Sequence, residues 1–97
     1  MKILIRTKNL ELTSQINDYL EKKIKHLEKF NLKIFKTQIN LIAGKEHSSD
    51  RKFRVEMNLF LPGKIIRGES SGLSIFAATD LVLEKLEKQL EKYKNKK

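Results

Sequence analysis

The chain contains no cysteine. That absence removes thiol nucleophiles, zinc–thiolate sites and any disulfide framework, and it permits a reducing cytoplasm. No apolar run approaches the roughly 18 residues that span a bilayer. The opening Met1-Lys2-Ile3-Leu4-Ile5-Arg6 meets charge too soon for a secretory signal. Proline and glycine are scarce, at one and four residues, so no linker divides the chain, and no internal repeat does either. Residues 1–97 therefore read as one domain. A Gly-rich phosphate loop and a Walker-type lysine are also missing. The two histidines, His26 and His47, stand at no spacing that suggests a catalytic relay, and Asp18, Asp50 and Asp80 are scattered. His47 with Glu46 and Asp50 is the single set of candidate metal ligands, and an exposed loop histidine is the commoner reading. The expectation is a protein that is not an enzyme and has no metal or cofactor.

Acidic residues are the scarcer charge, 12 against 21 lysines and arginines, for a net charge of +9. Such a balance draws a protein toward polyanions, nucleic acid first and anionic membrane surfaces second. AT-rich coding would also enrich lysine without any functional cause. At 97 residues a domain buries only about three-fifths of its chain surface, so the core must be thin.

Hydrophobic periodicity gives the order β-α-β-β-β-α. Met1 to Thr7 alternates as a short strand, with Ile3 and Ile5 on one face. Thr13 is suited to cap a helix from Ser14 to Phe30, whose seam is Ile16, Leu20, Ile24 and Leu27 with Tyr19 and Phe30 on a shoulder. Asn31 tolerates the left-handed conformation that ends helices. Lys33 to Ala43 is the second strand, with Phe35, Thr37, Ile39 and Leu41 alternating with Lys36, Gln38 and Asn40, and Gly44 to Asp50 is a loop. Arg51 to Leu61 alternates most cleanly, setting Phe53, Val55, Met57, Leu59 and Leu61 against Arg54, Glu56 and Asn58. Pro62-Gly63 makes a tight turn into a shorter fourth strand, Lys64 to Ser70. Leu73 to Lys97 is the last helix, with a charged, fraying tip over 93–97. The fold class is α+β: two roughly parallel helices packed on one face of a four-stranded mixed sheet.

The helices also sort their charges. Ile75, Thr79, Val82, Leu83, Leu86, Leu90 and Tyr93 form the seam of the last one. Lys85, Lys88, Lys92 and Lys96 run down one flank, and Glu84, Glu87 and Glu91 down the other. On the first helix Lys22, Lys25 and Lys29 lie opposite the seam, with Lys23 and His26 toward one flank and Glu21 and Glu28 toward the other. Side by side, the basic flank of one helix would face the acidic flank of its neighbour. The surface left outward is a row of ammonium groups suited to phosphates rather than base edges. A solvated pair of helices whose charges pair along their own surfaces is the competing reading.

Generic modules fit poorly. Arg51-Lys52-Phe53-Arg54-Val55 has the outline of an RNA-recognition strand, but its glycines are missing, Phe53 is in the buried phase and Phe60 stands alone on the open face. An α-β-β-β-α double-stranded-RNA domain would need lysines near Gly72 to Phe76, where there are none.

Four segments together carry a resemblance: Glu11-Leu12-Thr13, Lys25-His26-Leu27-Glu28-Lys29, Ile75-Phe76-Ala77-Ala78-Thr79-Asp80, and Lys85-Leu86-Glu87-Lys88-Gln89-Leu90-Glu91-Lys92. In element order and in these residues the chain resembles the bacterial ribosome hibernation-promoting factor family, which includes ribosome-associated translation inhibitors. The resemblance implies a cytoplasmic, ribosome-associated protein that binds 16S rRNA in the decoding channel of the small subunit. There it would exclude tRNA and messenger RNA and silence translation in stress or stationary phase. By position it assigns RNA contacts to Lys23, Lys29, Lys85, Lys88 and Lys92; the charge pattern adds Lys22, Lys25 and His26. His26 stands where the family usually has lysine, and Thr79 replaces a usual aliphatic. A second ribosome modulation factor is a further candidate partner; a membrane and a small-molecule substrate are not implied. Ending at Lys97, the sequence matches the short form best, or else a trimmed domain of a long one. Two alternatives remain: a protein-docking module using the open sheet face at Leu4, Phe60 and Ile65, and a general RNA or DNA binder.

Overall fold

The computed structural model describes residues 1–44 and 53–95. Its elements are β1 (Lys2–Lys8), α1 (Ser14–Lys25) continued by a 3-10 turn (His26–Phe30), β2 (Lys36–Ala43), β3 (Phe53–Leu61), β4 (Lys64–Gly72) and α2 (Ile75–Asn95). The strands lie in the order β1-β2-β3-β4, parallel between β1 and β2 and antiparallel thereafter. Contacts between the helices climb in step, Tyr19 with Phe76 and Lys29 with Glu87, so the two helices run parallel. This is the α+β arrangement read from the periodicity.

Local chemistry explains most element ends. The Thr13 hydroxyl accepts from the Ile16 amide at 3.1 Å, and the Ser74 hydroxyl from the Ala77 amide at 3.1 Å, so both helices start on a capped donor. The expected helix over 14–30 tightens into 3-10 geometry from His26. Residues i and i+3 then eclipse, which keeps Leu27 and Phe30 together in the core. Asn31 closes it in the left-handed region at φ 57°. Gly63, at φ 71°, takes the conformation that the two-residue turn after Leu61 requires.

Two expectations need correction. The fourth strand is not the shorter one: it runs two residues past Ser70 and equals β3 at nine residues, because Phe53 still pairs with Gly72. Phe35 does not share the phase of Thr37, Ile39 and Leu41. The Ile34 amide bonds back to the Leu32 carbonyl at 3.0 Å, so regular alternation begins only at Lys36. Ile34 takes the core position and Phe35 is left 52% exposed. The loop expected to Asp50, the first two residues of the third strand, the His47 set, and Lys96 and Lys97 lie outside the described residues.

The core lies between sheet and helices: Leu20, Ile24 and Leu27 from the first helix, Ile39, Leu41, Val55, Met57 and Leu59 from the sheet, and Val82, Leu86 and Leu90 from α2. Side chains of α2 also cover the outer edge of β4. Lys85 Nζ donates to the Glu69 carbonyl at 2.9 Å and Gln89 Nε2 to the Arg67 carbonyl at 2.8 Å, which satisfies acceptors a free sheet edge would leave open.

Thr79 is fully buried, and its hydroxyl has no hydrogen-bond partner among the described residues. An unmatched buried hydroxyl costs about 1–3 kcal/mol. Thr79→Val keeps the shape and removes the orphan, so it is expected to raise stability by about 1 kcal/mol, or some 4–8 °C in Tm. Thermal unfolding followed by circular dichroism reads this directly; an unchanged or lower Tm contradicts it.

Candidate nucleic-acid interface

The two helices meet along a seam of mixed charge. Tyr19 anchors it. Its phenol donates to Asp80 Oδ1 at 2.6 Å, its ring meets Phe76 edge-on at 4.9 Å, and Lys23 Nζ stands 5.3 Å over the same ring. Lys23 also approaches Asp80 at 3.9 Å, and further along Lys29 pairs with Glu87 at 3.4 Å. Lys23, His26, Asp80, Leu83, Glu84 and Glu87 line the shallow groove between the helices. The acidic flank of α2 therefore does face the basic flank of α1. These pairs are solvent-exposed and each contributes about 0–1 kcal/mol; they set which cations remain unmatched.

The hydrogen bond to Asp80 holds the Tyr19 proton, helped by partial burial and by the Asp80 charge, and pushes its pKa up to about 12. A folded-state pKa above the ordinary value near 10 stabilises the fold fully below pH ~10, and that contribution is lost as pH rises toward ~12. Asp80→Asn is expected to bring the Tyr19 midpoint back toward about 10, read by tyrosinate absorbance with Tyr19→Phe as the subtraction. An unmoved midpoint contradicts the assignment.

The eight residues singled out in the sequence separate into three groups. Lys23 and Lys29 are paired with carboxylates across the helices, and His26 is exposed beside them in the groove. Lys85 leans to the sheet edge, its ammonium on the Glu69 carbonyl. Lys22, Lys25, Lys88 and Lys92 are exposed and have no ion-pair partner among the described residues. Lys92 stands with Lys64, Gln89 and Tyr93 over a depression at the far end of α2. The outward row is thus narrower than the helical pattern alone suggests.

Across 14–30 and 75–95 there are eight lysines against seven carboxylates, whereas the rest of the chain carries thirteen basic residues against five acidic. The helices contribute segregated charge and little net charge. Among the described residues the excess lies on strands and connections, including Lys2, Lys33, Lys36 and Lys64, which helix periodicity gave no reason to select. No helix among the described residues is long and apolar enough to cross a membrane.

A family model described as Sigma 54 modulation protein / S30EA ribosomal protein matches residues 3–97. A ribosome hibernation promotion factor of Deinococcus radiodurans is 33% identical over 89 residues, covering 92% of this chain and 47% of the relative. A ribosome hibernation promoting factor of Azotobacter vinelandii is 30% identical over 96 residues, covering 99% of this chain and 85% of the relative. The first of these is typical in length, and the chain spans about half of most of the curated relatives it matches. Among solved structures, a ribosomal subunit interface protein from Coxiella burnetii superimposes with a TM-score of 0.81 at 26% identity, covering 99% of this chain and all of the other.

Proposed function

This chain belongs to the Sigma 54 modulation protein / S30EA ribosomal protein family, and from that premise we propose that it is a non-enzymatic ribosome hibernation factor. It docks by its helical layer on 16S rRNA in the decoding channel of the small subunit. Occupying that channel excludes tRNA and messenger RNA and holds translation down in stress or stationary phase. The observation that carries the reading is the pair of parallel helices with Lys22, Lys25, Lys88 and Lys92 exposed and unpaired among the described residues. Lysine ammonium groups on two neighbouring rods can bridge phosphates of more than one RNA strand, and they track backbone shape rather than sequence. The carboxylates in the groove fit this picture, because they keep the phosphates on the outward flanks.

Co-sedimentation with purified 30S particles at moderate salt, in competition with bulk duplex RNA, tests the proposal. Retention on 30S against excess duplex supports it; displacement by duplex would assign the chain to general RNA binding. Survival of a captured partner in nuclease-treated lysate would instead point to docking on protein.

A further inference from the structure

The sheet face opposite the helices divides into two unlike halves. At one end Arg54 binds Glu69 at 2.6 Å and Glu56 at 3.2 Å, and Asn40 donates to Glu56 at 3.3 Å. That half is polar and satisfied by its own charges. At the other end register sets Lys2, Lys36, Phe60 and Ile65 side by side across all four strands. Phe35 joins them from just before β2. Its ring centroid is 6.4 Å from that of Phe60, tilted by 53°, and Lys36 Nζ stands 4.8 Å from the Phe60 centroid. Phe60 is therefore not alone on the open face, as it was in the sequence pattern.

Three properties set this patch apart from an ordinary exposed hydrophobe. Phe35 is 52% exposed and Ile65 41%, so apolar surface is offered to solvent rather than used in the core. Exposed Lys33 precedes it in the chain, adding to Lys2 and Lys36. The neighbouring row, Leu4, Gln38, Asn58 and Arg67, holds no carboxylate; Glu56 and Glu69 appear only in the row after that. Two rows are about 13 Å along a strand, beyond the screening length of about 8 Å at physiological salt. The cations here are effectively unopposed on this face.

We propose that Phe35, backed by Phe60 and bordered by Lys2, Lys33 and Lys36, forms a stacking platform for an unpaired base of a single-stranded nucleic acid. An aromatic face accepts any base, and lysines at its rim hold the flanking phosphates, which is the chemistry of sequence-tolerant single-strand binding. A protein partner of the same patch would need acidic residues around an apolar anchor. The exposed Phe35 ring, tilted against Phe60, and the lysines beside it suit a base and its phosphates better. The proposal does not rest on docking through the helices, since the platform lies on the other side of the sheet.

The test is fluorescence anisotropy with a labelled uridine RNA of about 12 nucleotides, a length within the range of single-strand site sizes, and an abasic strand of equal length. Phe35→Ala is expected to weaken binding about tenfold on the uridine strand and less than about twofold on the abasic strand, while Phe35→Tyr retains affinity. Lys2→Gln and Lys36→Gln should each flatten the dependence of log Kd on log salt by about 0.7, whereas Phe35→Ala leaves the slope unchanged. Because Phe35 is half exposed, its variants should fold; matching circular dichroism spectra check this, and Phe60→Leu provides a second aromatic deletion. Equal losses on both strands, or no loss on the uridine strand, overturn the proposal. The second result would leave the patch to a protein partner. Helix variants that fail to bind 30S but keep this single-strand selectivity separate the present inference from the ribosomal one.

Discussion

Reversing Lys22, Lys25, Lys88 and Lys92 to glutamate together is expected to cost about 10³–10⁴-fold in affinity for 30S subunits near 0.1 M salt. Each phosphate contact releases close to one condensed counterion, worth nearly a factor of ten between 0.1 and 1 M salt, and four such contacts multiply. These lysines are exposed and lie opposite the buried seams, so the variant should fold. Reversing Arg6, Lys8 and Arg67, which are exposed on the open sheet face or its edge, changes long-range attraction without touching the helical row. That control is expected to lose less than about tenfold, because charges farther than a Debye length from the contact are largely screened. Comparable losses in the two variants would remove the helical layer from the interface. Lys23→Gln and Lys29→Gln should matter less, since Asp80 and Glu87 already hold those ammonium groups.

The largest effect on stability is expected at Leu86. This side chain is fully buried and lies over Gly68 of β4, where a Cβ would meet Leu86 Cδ2 at 3.1 Å. Leu86→Ala removes a core side chain and opens a void under α2, at a cost of about 2.5–5 kcal/mol. Domains of this size are stable by about 5–15 kcal/mol, so Tm should fall by roughly 10–25 °C or more. Gly68→Ala crowds the same leucine in the parent chain, yet its methyl group enters the space that Leu86→Ala vacates. The double variant is expected to be at least about 0.5 kcal/mol more stable than the sum of the single losses. Strict additivity in urea unfolding would show that the two positions do not share a cavity.

Much of this architecture is written in local residue patterns. β3 alternates without exception from Phe53 to Leu61, and Thr13, Asn31 and Gly63 take the capping and turn roles their side chains suit. The cross-helix pairs were also legible, because flank and seam positions fix which charges meet once two helices lie parallel. What local pattern could not carry is contact set by the third dimension. The tight turn at Leu32–Ile34 puts Ile34 in the core and turns Phe35 outward before the alternation of β2 begins, which no alternation rule anticipates. Lys85 looks like one more member of a basic row until the β4 edge supplies a carbonyl for it. The basic end of the open sheet face comes from residues far apart in sequence, Lys2 and Lys36, brought together by register alone. Comparing the charge of the helices with that of the remaining chain would have pointed toward it.

The proposed grip of outward lysines on folded RNA, made through its phosphates, depends on counterion release. Its most direct test is the slope of log Kd for 30S against log salt between about 0.05 and 0.2 M. The measurement compares the parent chain with a Lys22→Gln/Lys25→Gln/Lys88→Gln/Lys92→Gln variant. The parent should weaken steeply with salt, and the variant should be shallower by about 3.6, close to 0.9 for each lysine removed. Parallel lines for the two proteins, or a parent affinity indifferent to salt, would contradict it.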